Sequence, residues 1–120
     1  MSAQPTEPPA GDLIPRPVLT FPALRTALAH VAPDRLPEFH ADRDMVFTRA
    51  TETGAFGPIK GFQLKWATII EIERRPALAH RMRQAQRHIH TLDRDDPAWR
   101  AAMDEALAVH NEARAAVIGG

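Results

Sequence analysis

The stretch from Gly57 to Pro76 constrains this chain more than any other. It holds the densest run of large apolar side chains in the sequence, bracketed by Pro58 and Pro76. A proline suits the first turn of a helix, where its missing N–H is not needed. Pro76 disfavours helical geometry at Arg75 and so ends or kinks what precedes it. Between them Ile59, Phe62, Trp66, Ile69 and Ile70 recur at three- and four-residue steps, the spacing of one helical face. A second, smaller stripe, Leu64, Thr68 and Ile72, lies opposite. A helix apolar on two sides has to be covered on both, within the domain or by a partner. The first helix or the N-terminal segment is the expected cover for the second stripe.

The rest of the chain reads as helices arranged around this one. Residues 1–20 carry Pro5, Pro8, Pro9, Pro15 and Pro17 with few apolar side chains. Such a segment buries too little surface to offset its ordering entropy, which predicts a disordered Pro-rich tail ahead of a single helical domain over residues 21–118. The alternative for the tail is docking through Leu13–Pro15 or Val18–Leu19. Pro22 opens a first helix with Leu24, Ala27, Leu28 and Val31 on one face, ended at Ala32-Pro33. A second helix runs from about Leu36-Pro37 to Thr53 and stops at Gly54. Its apolar face is Leu36, Phe39, Val46, Phe47 and Ala50, with Arg43 inside the stripe. After Pro76 a fourth helix reaches about Leu92, with Leu78, Met82, Ala85, Ile89 and Leu92 on one face; it is either separate from the third or the far arm of one kinked helix. Asp96-Pro97 is an N-cap and first-turn pair for a last helix to about Val117. Trp99, Met103, Ala106, His110, Ala113 and Val117 form its expected inner face, with Ala102, Val109 and Ala116 beside them. No strand alternation or heptad run appears, so the expected fold is an all-α bundle of four to five helices.

Charge is balanced overall, with 15 basic and 15 acidic residues, but not along the chain. Met1–Ile59 holds 5 basic and 7 acidic residues, Lys60–Arg94 holds 8 and 3, and Asp95–Gly120 holds 2 and 5. A neutral total argues against general attraction to nucleic acid or anionic lipid. No stretch is apolar enough to span a bilayer, no secretory signal pattern opens the chain, and there is no cysteine, which together suit the cytoplasm.

Catalytic patterns are sparse. The one serine is Ser2 and tyrosine is absent, so hydroxyl nucleophiles reduce to threonines without a base–orienter context. Neither a phosphate-binding loop nor a dinucleotide fingerprint occurs. His88 and His90, two apart, point to different faces of a helix, and no other histidine pair has ligand spacing. The sequence therefore points to no catalytic residue, metal or cofactor. What stands out is the polar side of the fourth helix, where His80, Arg83, Arg87 and His90 share a face. A row of cations suits phosphates or an acidic protein surface, although no aromatic residue interleaves it for base stacking. Two charges fall where apolar residues are expected, Arg43 and Glu73, and are expected to pair at the edge of the core.

The segments Leu24–Leu28, Arg35–Phe39, Trp66-Ala67 with Ile72–Pro76, and Asp95–Met103 resemble a family of small actinobacterial helical proteins of unknown function, whose genes neighbour toxin–antitoxin loci. The likeness runs from about Pro22 to Val117 and rests on packing and capping positions, so it carries over no active site. It implies an antitoxin-like or toxin-binding role. The expected function is thus a non-enzymatic, cytoplasmic protein-binding module that meets a protein partner, a toxin among the candidates, or its own copy. Its candidate surfaces are His80, Arg83, Arg87 and His90 and the strip Leu64, Thr68 and Ile72. The alternative is a small nucleic-acid-binding regulator using the basic face over residues 76–92.

Overall fold

The computed structural model describes residues 11–120, and its regular structure there is entirely helical. Five α-helices follow in order: α1 Phe21–Val31, α2 Leu36–Thr53, α3 Gly57–Arg74, α4 Pro76–Thr91 and α5 Pro97–Gly119. A short 3-10 turn, Pro33–Arg35, joins α1 to α2. Local chemistry sets each boundary. The Thr20 hydroxyl accepts the Ala23 N–H and caps α1, and the Asp96 carboxylate accepts the Ala98 N–H at 2.8 Å to cap α5. Gly54 ends α2 in the left-handed region at φ 70°, where a Cβ would be strained. Arg75 is extended, φ −108° and ψ 101°, as a residue before proline should be. That single residue makes α3 and α4 two helices rather than one kinked rod.

The bundle measures 52 × 45 × 26 Å, about two helix diameters thick. In its middle lies α3, which packs against all four other helices. On one side α1 and α2 close over Phe62, Trp66 and Ile70 with Leu24, Leu28 and Phe39. Rings meet at tilted or edge-on angles there, Phe39 to Phe62 at 5.0 Å and Phe39 to Trp66 at 5.3 Å. Such pairs add about 0.5–1.5 kcal/mol each beyond their buried area. The Trp66 indole N–H donates to Asp42 at 2.9 Å, so its one polar atom is satisfied. On the other side Ile72 joins Leu78 and Ala79 of α4 and Val109 and Ala113 of α5 in a second, smaller cluster.

Four expectations are corrected. The second stripe of α3 is covered, with Thr68 and Ile72 buried and Leu64 half-buried. The α4–α5 pair covers Ile72, while Leu64 packs against the cluster that α1 and α2 share with Val117 of α5. The inner face of α5 is rotated from the expected one: Ala102, Val109, Ala113 and Val117 are buried, whereas Met103 and His110 face solvent. Small residues let the helix axes approach, and the larger Met103 and His110 are thereby turned out. Arg43 and Glu73 do not pair. Arg43 reaches its neighbour Asp44 at 3.6 Å, and Glu73 faces Arg83 at 3.8 Å. Finally, the tail boundary moves. Residues 1–10 lie outside the described residues, but residues 11–20 form a strap fixed to α3. The Leu13 N–H donates to the Arg74 carbonyl at 2.8 Å, and Ile14 packs against the aromatic cluster.

Candidate functional site

Helix α4 carries the basic face. Steps of three, four and three residues bring His80, Arg83, Arg87 and His90 to one side of it, and all four are exposed. With Gln86 and Thr91 they line a shallow groove of about 540 Å³. The His90 Nδ1 lies 2.7 Å from the Gln86 carbonyl. A carbonyl can only accept, so Nδ1 carries the proton in this contact. Arg83 leans toward Glu73 at 3.8 Å, and Arg87 has no carboxylate partner among the described residues.

The other cations of this segment are tied inside the molecule. Arg81 grips Glu105 through two bonds of 3.0 Å and reaches Glu112 at 3.1 Å, which staples α4 to α5. Those hydrogen bonds, donated by Arg81 to the two carboxylates, raise the Arg81 pKa, and the bond from Arg81 lowers that of Glu105. Arg75 spans Glu71 and Glu112, both at 3.5 Å. Arg94 lies 5.7 Å from the Trp99 ring at the hairpin turn. The outward positive character of α4 therefore comes from Arg83 and Arg87. Two arginines one turn apart, with donors beside them, can hold carboxylates or phosphates. They provide no nucleophile.

The second candidate surface is recessed. Leu64 and Thr68, with Gly61, Lys65, His110 and Arg114, line a hollow of about 320 Å³ between α3 and α5. Ile72 belongs to an adjoining hollow of about 340 Å³, with Ile69, Glu73, Met82 and Arg83 around it. His110 lines both, so the two hollows meet at its side chain and follow one another along α3 as a groove. Thr68 and Ile72 form its floor rather than an exposed strip, and the Thr68 hydroxyl is satisfied by the Leu64 carbonyl at 2.7 Å.

Sequence reasoning missed the carboxylate that accepts the most hydrogen bonds among the described residues. Glu71 has no exposed surface. Its carboxylate accepts Arg16 Nε and Nη2 at 2.9 and 3.0 Å and Arg74 Nε and Nη2 at 2.9 and 3.1 Å. Arg74 also donates to Asp12 at 3.1 Å and to the Ile14 carbonyl at 3.0 Å. Burial alone would push the Glu71 carboxyl up; hydrogen bonds from Arg16 and Arg74, with their charges, outweigh it and hold it at about 2. Every lone pair that faces the protein is engaged, so this is a latch for the strap and not a free acid. The available signal was Glu71 flanked by Ile70 and Ile72, with Arg74 at the i+3 position. Above the latch, the strap and α1 border an open hollow of about 590 Å³, lined by prolines, alanines and threonines with Ile14, Arg16 and His30. It gathers no acid–base pair.

Among the described residues no three of His, Asp or Glu converge on one point, and no helix is long and apolar enough to cross a membrane. Comparison of the chain with models of known protein families, with curated proteins and with solved structures finds no match.

Proposed function

We propose that this protein is a non-enzymatic, cytoplasmic binding module that engages an acidic surface of another protein through the outer face of α4. The observation that supports this reading is the exposed row His80, Arg83, Arg87 and His90, in which Arg87 has no carboxylate of its own among the described residues. The charge around the row favours a compact acidic partner over a nucleic-acid strand. Asp93, Asp95 and Asp96 follow the end of α4, and Asp104, Glu105 and Glu112 lie on α5. A long polyanion would meet these acids beyond about two helical turns, whereas a partner of limited size would not. The resemblance to proteins encoded beside toxin–antitoxin genes adds the reading that this partner is a toxin.

The test is affinity capture from the native host with the wild-type chain and with Arg83→Ala/Arg87→Ala as baits. An acidic protein enriched by the first and lost by the second is the expected result. Recovery of the bait alone overturns the proposal. A salt-dependent shift of nucleic acid, abolished by the same double substitution, replaces it with the regulator reading.

A further inference from the structure

We infer that the α3–α5 groove is a seat for an acidic amphipathic helix presented by a partner protein; this deepens the binding-module reading and rests on it. From Gly61 to Glu73 the groove runs along about 18 Å of α3, room for a helix of three to four turns. Its floor is apolar, with Leu64, Ile69 and Met82 half-buried over Ile72. The α5 wall continues beyond the groove. Met103, Leu107, His110 and Arg114 follow one another at steps of four, three and four residues and so form one stripe. Met103 and Leu107 are 41% and 59% exposed, although both are large apolar side chains on a helix with a buried alanine face. An apolar floor, continued past the His110 and Arg114 wall by exposed Met103 and Leu107, is the form that receives the hydrophobic side of a helix.

Charge identifies the occupant. The lining carries Arg35, Lys65, Arg83 and Arg114 against the single carboxylate Glu73. Arg35 and Lys65 are partly met by Glu38 and Asp42, while Arg114 has no ion pair among the described residues. The rim thus asks for acidic residues flanking the apolar face of the incoming helix. The same rim disfavours a second copy of this chain. A two-fold contact through the groove would set Arg83 and Arg114 of each copy against their own counterparts. Arg83 lines both this groove and the outer groove of α4, so one partner can occupy the two together.

The probe is a fluorescent synthetic helix of about four turns, leucine on one face and glutamate on the others, read by anisotropy. Its control has the same composition with the leucines scattered. The amphipathic peptide is expected to bind saturably at one per chain. Leu107→Glu is expected to weaken it by at least about tenfold, and so is Gly61→Leu. Both positions are exposed, and a Cβ at Gly61 meets nothing within 4 Å, so circular dichroism should report an unchanged fold. Equal binding of the scattered control overturns the inference, as does affinity unaffected by Leu107→Glu. Control binding lost on Arg87→Ala but not on Leu107→Glu removes the groove while leaving the α4 face in place. A dimer that Leu107→Glu converts to monomer makes the occupant a second copy and overturns the acidic helix.

Discussion

The two sides of α3 are held by different physics. Toward α1 and α2 the interface is built from large rings, and Trp66, Phe39, Leu24 and Leu28 have no exposed surface. Toward α4 and α5 it is built from Ala79, Ala113 and Val109 around Ile72 and Leu78, and the hairpin is clamped by Arg81 to Glu105 and Glu112 at its surface. The rings interlock around Phe39, the one buried residue of α2. Alanines bring helices close while burying little area per residue, so long polar and apolar side chains of the hairpin stay outside. Both candidate binding surfaces lie on that second side. The half with the large core stabilises the fold, and the half with the small core carries the side chains of both candidate surfaces.

Three substitutions test this contrast. Trp66→Ala removes the centre of the aromatic side and its bond to Asp42, and should lower unfolding free energy by about 3–5 kcal/mol in a urea titration. A loss below 1 kcal/mol would mean that the ring side does not dominate stability. Glu71→Gln strikes the joint between the strap and the two sides. The folded-state carboxyl sits at about 2, below its ordinary 4.5. Its contribution is therefore complete above pH 4.5 and is lost as pH falls toward 2. The wild type should lose about 3 kcal/mol on this account as pH falls across that range, and Glu71→Gln should lack this part of the slope while being weaker at neutral pH. Identical pH profiles would assign the acid sensitivity to other carboxylates. Arg81→Ala should have the smallest effect. Its ion pairs face solvent, so the drop in Tm should be measurable at low salt and should fade in concentrated salt. A drop that persists in concentrated salt would show that the clamp works by packing.

Which parts of this arrangement were legible follows from how far apart the determining residues are. The helix ends were readable because caps act within a few residues: Pro22, Gly54, Arg75-Pro76 and Asp96-Pro97 each reproduce their expected role. The main face of α3 was readable for the same reason, since Phe62, Trp66 and Ile70 are buried and Ile59 and Ile69 stand at its edges. The face of α5 was misjudged because periodicity weights Met103 and His110 as heavily as the alanines beside them. The helix turned instead toward the side that allowed the closest approach. Glu71 escaped notice because a lone carboxylate in an apolar run gives no sign of its partner. Arg16, the side chain that completes its coordination, lies 55 positions away in a segment whose proline content pointed to a tail.

Sequence by itself determined that the described residues form a helical bundle, about where most helices begin and end, and that α3 has two apolar faces. Those are short-range properties, governed by dihedral preference, capping and spacing. Tertiary structure decided the rest: that α4 and α5 cover Ile72 on the second face, that the Leu64–Thr68–Ile72 strip becomes the floor of a groove, and that a proline-rich strap is latched by Arg16 and Asp12. It also decided which arginines of the basic segment face outward. Arg74, Arg75 and Arg81 meet carboxylates contributed from distant parts of the chain as well as nearby, while Arg83 and Arg87 stay exposed. Charge pairing across such distances depends on which helices come to lie side by side, and packing settles that.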